Sequence, residues 1–284
     1  MRNNKTNHTM KLMLLISLMA TFLIQTEICN AKGLDMFKGV KQQVLRISGG
    51  TAHIPVMKEA AKRIMKFNPH IQITIAGGGS GTGIRQVGEG LVDIGNSGRH
   101  PTKSEIKKYG LEVYKWAIDG VAAVTNPKNR VKALSTKQLR DIFSGKIVNW
   151  KQLGGDDKPI DVYTRDKASG TRAVFWKKAL KKSDITDKAY VVVSNGAMKT
   201  ALRNDPFGIG YVSVGFIDNN LNAIALDGVK PDMNSVKTGR YKIARGLYSN
   251  TKGKATGLAK KFIDYLLSPD GQKLAFNKGF IPVK

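Results

Sequence analysis

Ile71-Gln72-Ile73-Thr74-Ile75-Ala76-Gly77-Gly78-Gly79-Ser80-Gly81-Thr82-Gly83 is the stretch that decides the fold. Apolar residues alternate up to Ile75 as they do in a strand, glycines follow, and Thr82 to Glu89 reads as a short helix. The same order recurs twice. Val44 to Ile47 leads into Gly49-Gly50-Thr51-Ala52 and a helix from His53 to Phe67, closed by Asn68-Pro69. Ile160 to Tyr163 leads into Arg165-Asp166-Lys167-Ala168-Ser169-Gly170-Thr171 and a helix from Ser169 to Leu180. In each turn glycine permits close backbone approach, a hydroxyl residue offers a cap, and the helix start points free N–H groups outward. Three such turns, with an arginine four residues before the third serine, provide what a buried tetrahedral oxyanion needs.

The rest of the chain keeps the alternation of strand and helix, which predicts α/β layers with mainly parallel sheets. Leu91 to Gly95 reads as the next strand, and Val113 to Thr125 as one long strand or two, broken near Asp119-Gly120. Ser135-Thr136-Lys137-Gln138 is a capping box opening a helix to Phe143. Asn195 to Leu202 reads as a helix, Ile209 to Val214 and Tyr241 to Tyr248 as strands. Leu258 to Leu267 and Gly271 to Phe276 read as closing helices. Leu226 to Arg240 is the one long irregular connection.

Residues 1–31 read as an export signal rather than as part of the fold. Arg2, Lys5 and Lys11 are basic, Leu12 to Ile24 is an uncharged run of 13 residues, and Cys29-Asn30-Ala31 resembles a cleavage site. Thirteen residues are too few to span a bilayer. Lipid attachment at Cys29 is the alternative, against which stands the bulky Ile28. Cleavage would leave 253 residues, enough for one large or two medium domains, with no cysteine. Of His8, His53, His70 and His100, none pair at metal-ligand spacing, so neither a metal nor another cofactor is expected.

The chain carries 47 basic and 21 acidic residues; without three bases and one acid of the leader, 44 and 20 remain, a net charge of +24. Such a charge raises the question of nucleic acid. The lysines, however, are spread in pairs on helix faces, and the few aromatics do not interleave with them as a stacking platform would. A solvated basic surface is the reading adopted, with no nucleic-acid partner.

Gly77 to Gly83 lacks the Gly-Lys-Ser/Thr ending of a nucleotide loop and the register of a dinucleotide fingerprint. Arg165 carries a planar fork suited to oxyanions, unless Asp161 or Asp166 takes it. Asp93 reads as a structural carboxylate on turn amides. Asp119, at a break between apolar runs, reads as semi-buried, with Arg99 as its alternative partner.

In order, Gly-Gly-Gly-Ser-Gly-Thr-Gly, Val92-Asp-Ile-Gly-Asn-Ser97, Asp119-Gly-Val-Ala-Ala-Val-Thr-Asn-Pro127, Ile142-Phe-Ser-Gly-Lys-Ile-Val-Asn-Trp150, Arg165-Asp-Lys-Ala-Ser-Gly-Thr-Arg172 and Gly208-Ile-Gly-Tyr-Val-Ser-Val-Gly-Phe216 resemble the phosphate-binding component of the bacterial high-affinity phosphate ABC transporter. The resemblance runs from about Leu45 to Val283. It implies a two-lobed, type II periplasmic-binding-protein fold with a two-strand hinge near Ile118 and Arg245. Lobe I would span 42–117 and 246–284, and lobe II 118–245. It implies a periplasmic monomer, not an enzyme, that delivers inorganic phosphate to a membrane permease. Phosphate would be bonded by Thr51, Ala52, Ser80, Arg165, Ser169, Gly170 and Thr171. Members of the family place a proton-accepting aspartate after the serine of the Gly-x-Ser turn, where this chain has Gly98. Asp119 is therefore the expected acceptor; otherwise the site lacks one, and Ser97 and Arg99 are possible additions. Competing readings are a binder of sulfate or molybdate, a secreted hydrolase and a polyanion binder. Against the hydrolase, no Ser–His pair, metal cluster or paired carboxylates fall among these turns.

Overall fold

The computed structural model describes residues 33–283, so the expected leader and Cys29 lie outside the described residues. The eight longer strands are β1 (Gln43–Gly49), β2 (Ile71–Gly78), β3 (Ile94–Ser97), β4 (Leu111–Thr125), β5 (Asp161–Arg165), β6 (Tyr190–Val192), β7 (Gly208–Ser213) and β8 (Ala244–Lys252). They stand in the order β2-β1-β3-β8-β4-β7-β5-β6. Each wing of this curled sheet is parallel: β1 pairs β2 and β3, and β5 pairs β6 and β7. The middle is antiparallel, β8 lying between β3 and β4, and β4 beside β7. Mainly parallel pairing thus describes the wings, while the strands joining them run against their neighbours.

The helices are α1 (Ile54–Phe67), α2 (Gly79–Gly88), α3 (Lys103–Tyr109), α4 (Thr136–Phe143), α5 (Gly170–Lys178), α6 (Asn195–Asn204), α7 (Gly257–Leu267) and α8 (Pro269–Asn277). The Ser135–Gln138 capping box opens α4. Thr102 and Glu105 form a second capping box for α3, a helix absent from the sequence reading. None of its residues is buried, so no apolar stripe marks it. Leu91 to Asp93 is a turn rather than strand, with Leu91 exposed, and β3 begins three residues later than expected. The irregular connection after Leu226 contains a helical turn, Met233–Lys237, capped by Asp232.

Two separate cores account for the two lobes. One gathers Leu45, Ile47, Met57, Ile64 and Trp116 with Phe262, Leu266 and Phe280 from the end of the chain. The other gathers Phe143, Trp150, Phe175 and Tyr211, the last two stacked at 4.2 Å and 15°. β4 runs unbroken from the first core to the second: Trp116 and Ala117 pack into one, Val121 and Ala123 into the other. β8 returns beside it, with Arg245 opposite Asp119 and Gly246 opposite Ile118. A pair of long strands shared between two cores bends more easily than either core deforms, as a hinge requires.

Candidate anion-binding site

The glycine-rich turns lie at the C-terminal ends of the parallel strands, where open α/β sheets place their ligands. β1 ends at Gly49 with φ +116°, β2 passes into α2 through Gly78 with φ +115°, and β5 ends at Arg165. A side chain is strained at both angles, so glycine is what lets the backbone fold back over the strand ends. Across the cleft the lobes touch: the Gly81 N–H donates to the Ala168 carbonyl at 3.0 Å. A β-carbon on Gly79 would stand 2.8 Å from that carbonyl oxygen, and one on Gly170 would stand 2.0 Å from Ser80 Oγ.

Gly50, Thr51, Ala52, Gly79, Ser80 and Gly98 from one side, and Arg165, Ser169, Gly170, Thr171 and Arg245 from the other, line a small, tightly closed pocket. Seven of the expected residues, Thr51, Ala52, Ser80, Arg165, Ser169, Gly170 and Thr171, therefore meet at one point. Three helical N-termini converge there: the turn Thr51–His53 that runs into α1, then α2, then α5. Their free N–H groups and positive dipole ends favour negative charge.

The four hydroxyls share one pattern. Ser80 Oγ accepts from the Gly98 N–H at 2.9 Å, and Ser169 Oγ accepts from the Arg172 N–H at 3.1 Å as the cap of α5. Thr51 Oγ1 accepts from the Asn195 backbone N–H at 3.3 Å and from its Nδ2 at 3.1 Å; Thr171 Oγ1 accepts from the same Nδ2 at 3.5 Å. A hydroxyl whose lone pair is engaged keeps its single proton to donate. The cavity is thereby lined with donors.

Arg165 is 2% exposed. Its Nη2 donates to the Val193 carbonyl at 3.0 Å, while Nε and Nη1 have no partner among the described residues. Neither Asp161 nor Asp166 takes its fork. Burial pulls its pKa down, with Asp166 and Tyr211 opposing, yet a guanidinium stays charged. Two buried, charged donors without an acceptor are costly unless an anion supplies one.

Asp119, expected as the acceptor of a ligand proton, is not among the residues lining the cavity. It is 1% exposed and engaged on both oxygens. Oδ1 accepts from Ser213 Oγ at 2.7 Å and Oδ2 accepts from Arg245 Nε at 2.9 Å. Arg245 Nη2 lies 2.8 Å from the same Oδ2, a charge contact rather than an aligned bond. Burial pushes the Asp119 carboxyl up, against the pull of Arg245 and Ser213. The other expected additions also lie elsewhere. Arg99 forks onto Glu105 with two bonds of 2.7 Å, so it is not the partner of Asp119. This holds Glu105 down to about 2, chiefly through the hydrogen bond from Arg99. Ser97 Oγ accepts from Asn250 Nδ2 at 2.9 Å. Asp93 bonds the backbone N–H and the guanidinium of Arg46 rather than turn amides.

Arg245 and Asn195 were not found by sequence reasoning. Arg245 reaches the cavity from β8, its Nη1 3.4 Å from the Gly98 carbonyl, and a β-carbon on Gly98 would stand 2.6 Å from that Nη1. The guanidinium thus covers the position where the family's aspartate would stand. Beneath the first turn His53 is fully buried against Trp116, with ring centroids 5.6 Å apart. Burial first, and Arg245 second, lower its pKa to about 3, so it is neutral.

Comparison with known proteins places the chain and its fold in a family. A model of the PBP superfamily domain matches residues 38–270. The phosphate-binding protein PstS of Bacillus subtilis is 40% identical over 282 residues, covering 95% of this chain and 94% of that protein. Its namesake from Borreliella burgdorferi is 28% identical over 286 residues, covering 96% and 99%. Among solved structures, a putative phosphate ABC transporter substrate-binding protein from Clostridium perfringens with bound phosphate is 35% identical. It superposes with a TM-score of 0.81 over 85% of this chain and 100% of that one. The chain belongs to the PBP superfamily and, within it, to the family of the PstS phosphate-binding proteins.

Proposed function

We propose that this protein binds inorganic phosphate in the closed cleft and hands it to the membrane permease of an ABC importer. The observation that carries the reading is Arg165: a buried guanidinium with two donors unpartnered among the described residues, in a cavity lined by donor hydroxyls and helix N-termini. Thr51, Ala52 and Ser80 hold the anion from lobe I (42–117 and 246–284). Arg165, Ser169, Gly170 and Thr171 hold it from lobe II (118–245). Arg245 stands over Gly98 and closes the ring of donors, with Asp119 behind it acting through it. The ligand bonds both lobes, so it stabilises the closed form, and that form is what a permease can distinguish from the open one. The protein acts as a monomeric carrier outside the cytoplasmic membrane and performs no chemistry on the anion. The names of its relatives and the bound phosphate of the Clostridium perfringens protein support this substrate.

Calorimetric titration of residues 32–284 with phosphate, sulfate and molybdate, and with a DNA duplex, tests it. Stoichiometric phosphate binding is expected, together with a rise in melting temperature, since the ligand favours the folded closed state by about 2.7 kcal/mol at a hundredfold excess over Kd. No heat and no thermal shift at millimolar phosphate would overturn the reading. Binding to DNA alone would point to the polyanion function instead.

A further inference from the structure

Asn195 begins α6 and is fully buried, yet it does not line the cavity. Its Oδ1 accepts from the Ser213 backbone N–H at 3.0 Å. Only an oxygen can take that bond, so the orientation of the amide is fixed and its Nδ2 faces the other way. There Nδ2 donates to Thr51 Oγ1 at 3.1 Å and lies 3.5 Å from Thr171 Oγ1. The Asn195 backbone N–H also donates to Thr51, at 3.3 Å. One side chain therefore feeds hydrogen bonds into hydroxyls on opposite sides of the cleft.

Two consequences follow from hydroxyl chemistry. Thr51 and Thr171 each have one proton, and with a fixed amide donor on the lone pair the proton is left for the anion. Thr51 belongs to the first core's side and Asn195 to the second, so their bonds exist only while the cleft is shut. We propose that Asn195 is a positioning residue for anion binding, which turns Thr51 and Thr171 into donors toward phosphate and couples that orientation to closure. This rests on the phosphate reading above.

The test compares Asn195→Ala and Asn195→Asp by phosphate titration at pH 8 and pH 5.5, each against wild type at the same pH. Asn195→Asp keeps the acceptor for Ser213 but replaces the donor with a second acceptor, so both threonine protons turn away from the ligand. At pH 8 it should weaken phosphate by roughly 100-fold or more, and Asn195→Ala by about tenfold. At pH 5.5 a carboxyl buried beside an anion regains its proton and becomes a donor again. The Asn195→Asp penalty should then shrink at least about tenfold, while that of Asn195→Ala stays constant. A merely structural role would lower the unliganded melting temperature along with the affinity, and would leave the Asn195→Ala penalty unchanged in a Thr51→Val background.

Should Asn195→Asp fold poorly, judged by its unliganded melting curve, a double-mutant cycle decides. In a Thr51→Val background Asn195→Ala should cost clearly less than it does alone, because its target is gone. Additive losses, or Asn195→Asp binding within threefold of wild type at pH 8, would overturn the proposal. Wild type failing to bind phosphate would instead overturn the function on which it rests.

Discussion

Replacing Arg165 with methionine tests the site at its centre, because the substitution keeps length and apolar bulk while removing the charged fork. Arg165 is 2% exposed, and among the described residues its side chain makes one hydrogen bond, to the Val193 carbonyl. Nε and Nη1 are left for the ligand. A hydrogen bond to a charged group contributes about 1.5–3 kcal/mol net, so losing two should cost roughly 3–6 kcal/mol, or roughly 150- to 20,000-fold in Kd. The same two donors oppose closure around nothing. Leaving each buried without an acceptor costs about 1–3 kcal/mol, and 2 kcal/mol already disfavours the closed form about 30-fold. Methionine lifts that penalty. The variant should therefore bind phosphate far more weakly, yet show a smaller radius of gyration than wild type in phosphate-free solution scattering. Calorimetry gives the first quantity and scattering the second. A variant that binds phosphate within tenfold of wild type would refute the assignment of Arg165 as the principal anion ligand.

Gly170→Ala should impair closure without unfolding either lobe, because its β-carbon would stand 2.0 Å from Ser80 Oγ across the cleft. A clash of about 1–3 kcal/mol corresponds to phosphate binding roughly 5- to 150-fold weaker, with an unchanged unliganded melting temperature as the control. His53 supplies a pH dependence. Its pKa in the folded protein is lowered to about 3 from the ordinary 6.5, so the unfolded chain takes up a proton between those values that the folded one refuses. Its contribution is thus intact above pH 6.5 and lost as pH falls toward 3, on the order of 5 kcal/mol. Denaturant unfolding across that range should show a flatter profile for His53→Phe than for wild type, and parallel profiles would show that His53 titrates normally.

What the sequence made legible is local, and what it hid depends on pairing. The turns after β1, β2 and β5 declare themselves because glycine, hydroxyl and the following helix lie within a few residues of each other. Thr102-Lys103-Ser104-Glu105 carries the same capping pattern as Ser135-Thr136-Lys137-Gln138, but α3 offers only Ile106 and Tyr109, both partly buried, to the core, too short an apolar face for periodicity to reveal a helix. Arg245 had no local mark among 47 basic residues. Its place follows from the antiparallel register that sets it opposite Asp119, 126 positions away in the chain. The burial of Asp119 was readable from the apolar runs on either side of it. Its partner was not, because Arg99 is nearer in sequence but finds Glu105 only six residues on. Asn195 could be read as a helix start, which it is; its bond across the cleft appears only when both lobes are assembled.

These pairings also change how selectivity must be explained. The expectation that Asp119 accepts a phosphate proton required a carboxylate facing the ligand, and among the described residues lining the cavity there is none. The aspartate is instead neutralised by Arg245, whose guanidinium covers the position of Gly98. What the cavity offers an anion is then N–H groups, hydroxyls with their protons free, and the guanidinium groups of Arg165 and Arg245. Such a shell rewards charge and oxygen count, and a proton on the ligand finds no ready acceptor in it. Repulsion of an unprotonated competitor by a buried carboxylate, the device by which one acceptor separates phosphate from sulfate, is therefore absent from the first layer. Asp119 touches Arg245 and Ser213 rather than the cavity, so any effect it has on an anion there passes through that guanidinium. Asp119 and Arg245 lie opposite each other on the two strands shared by the lobes, so the ion pair that reaches the cavity also spans the strands that join them.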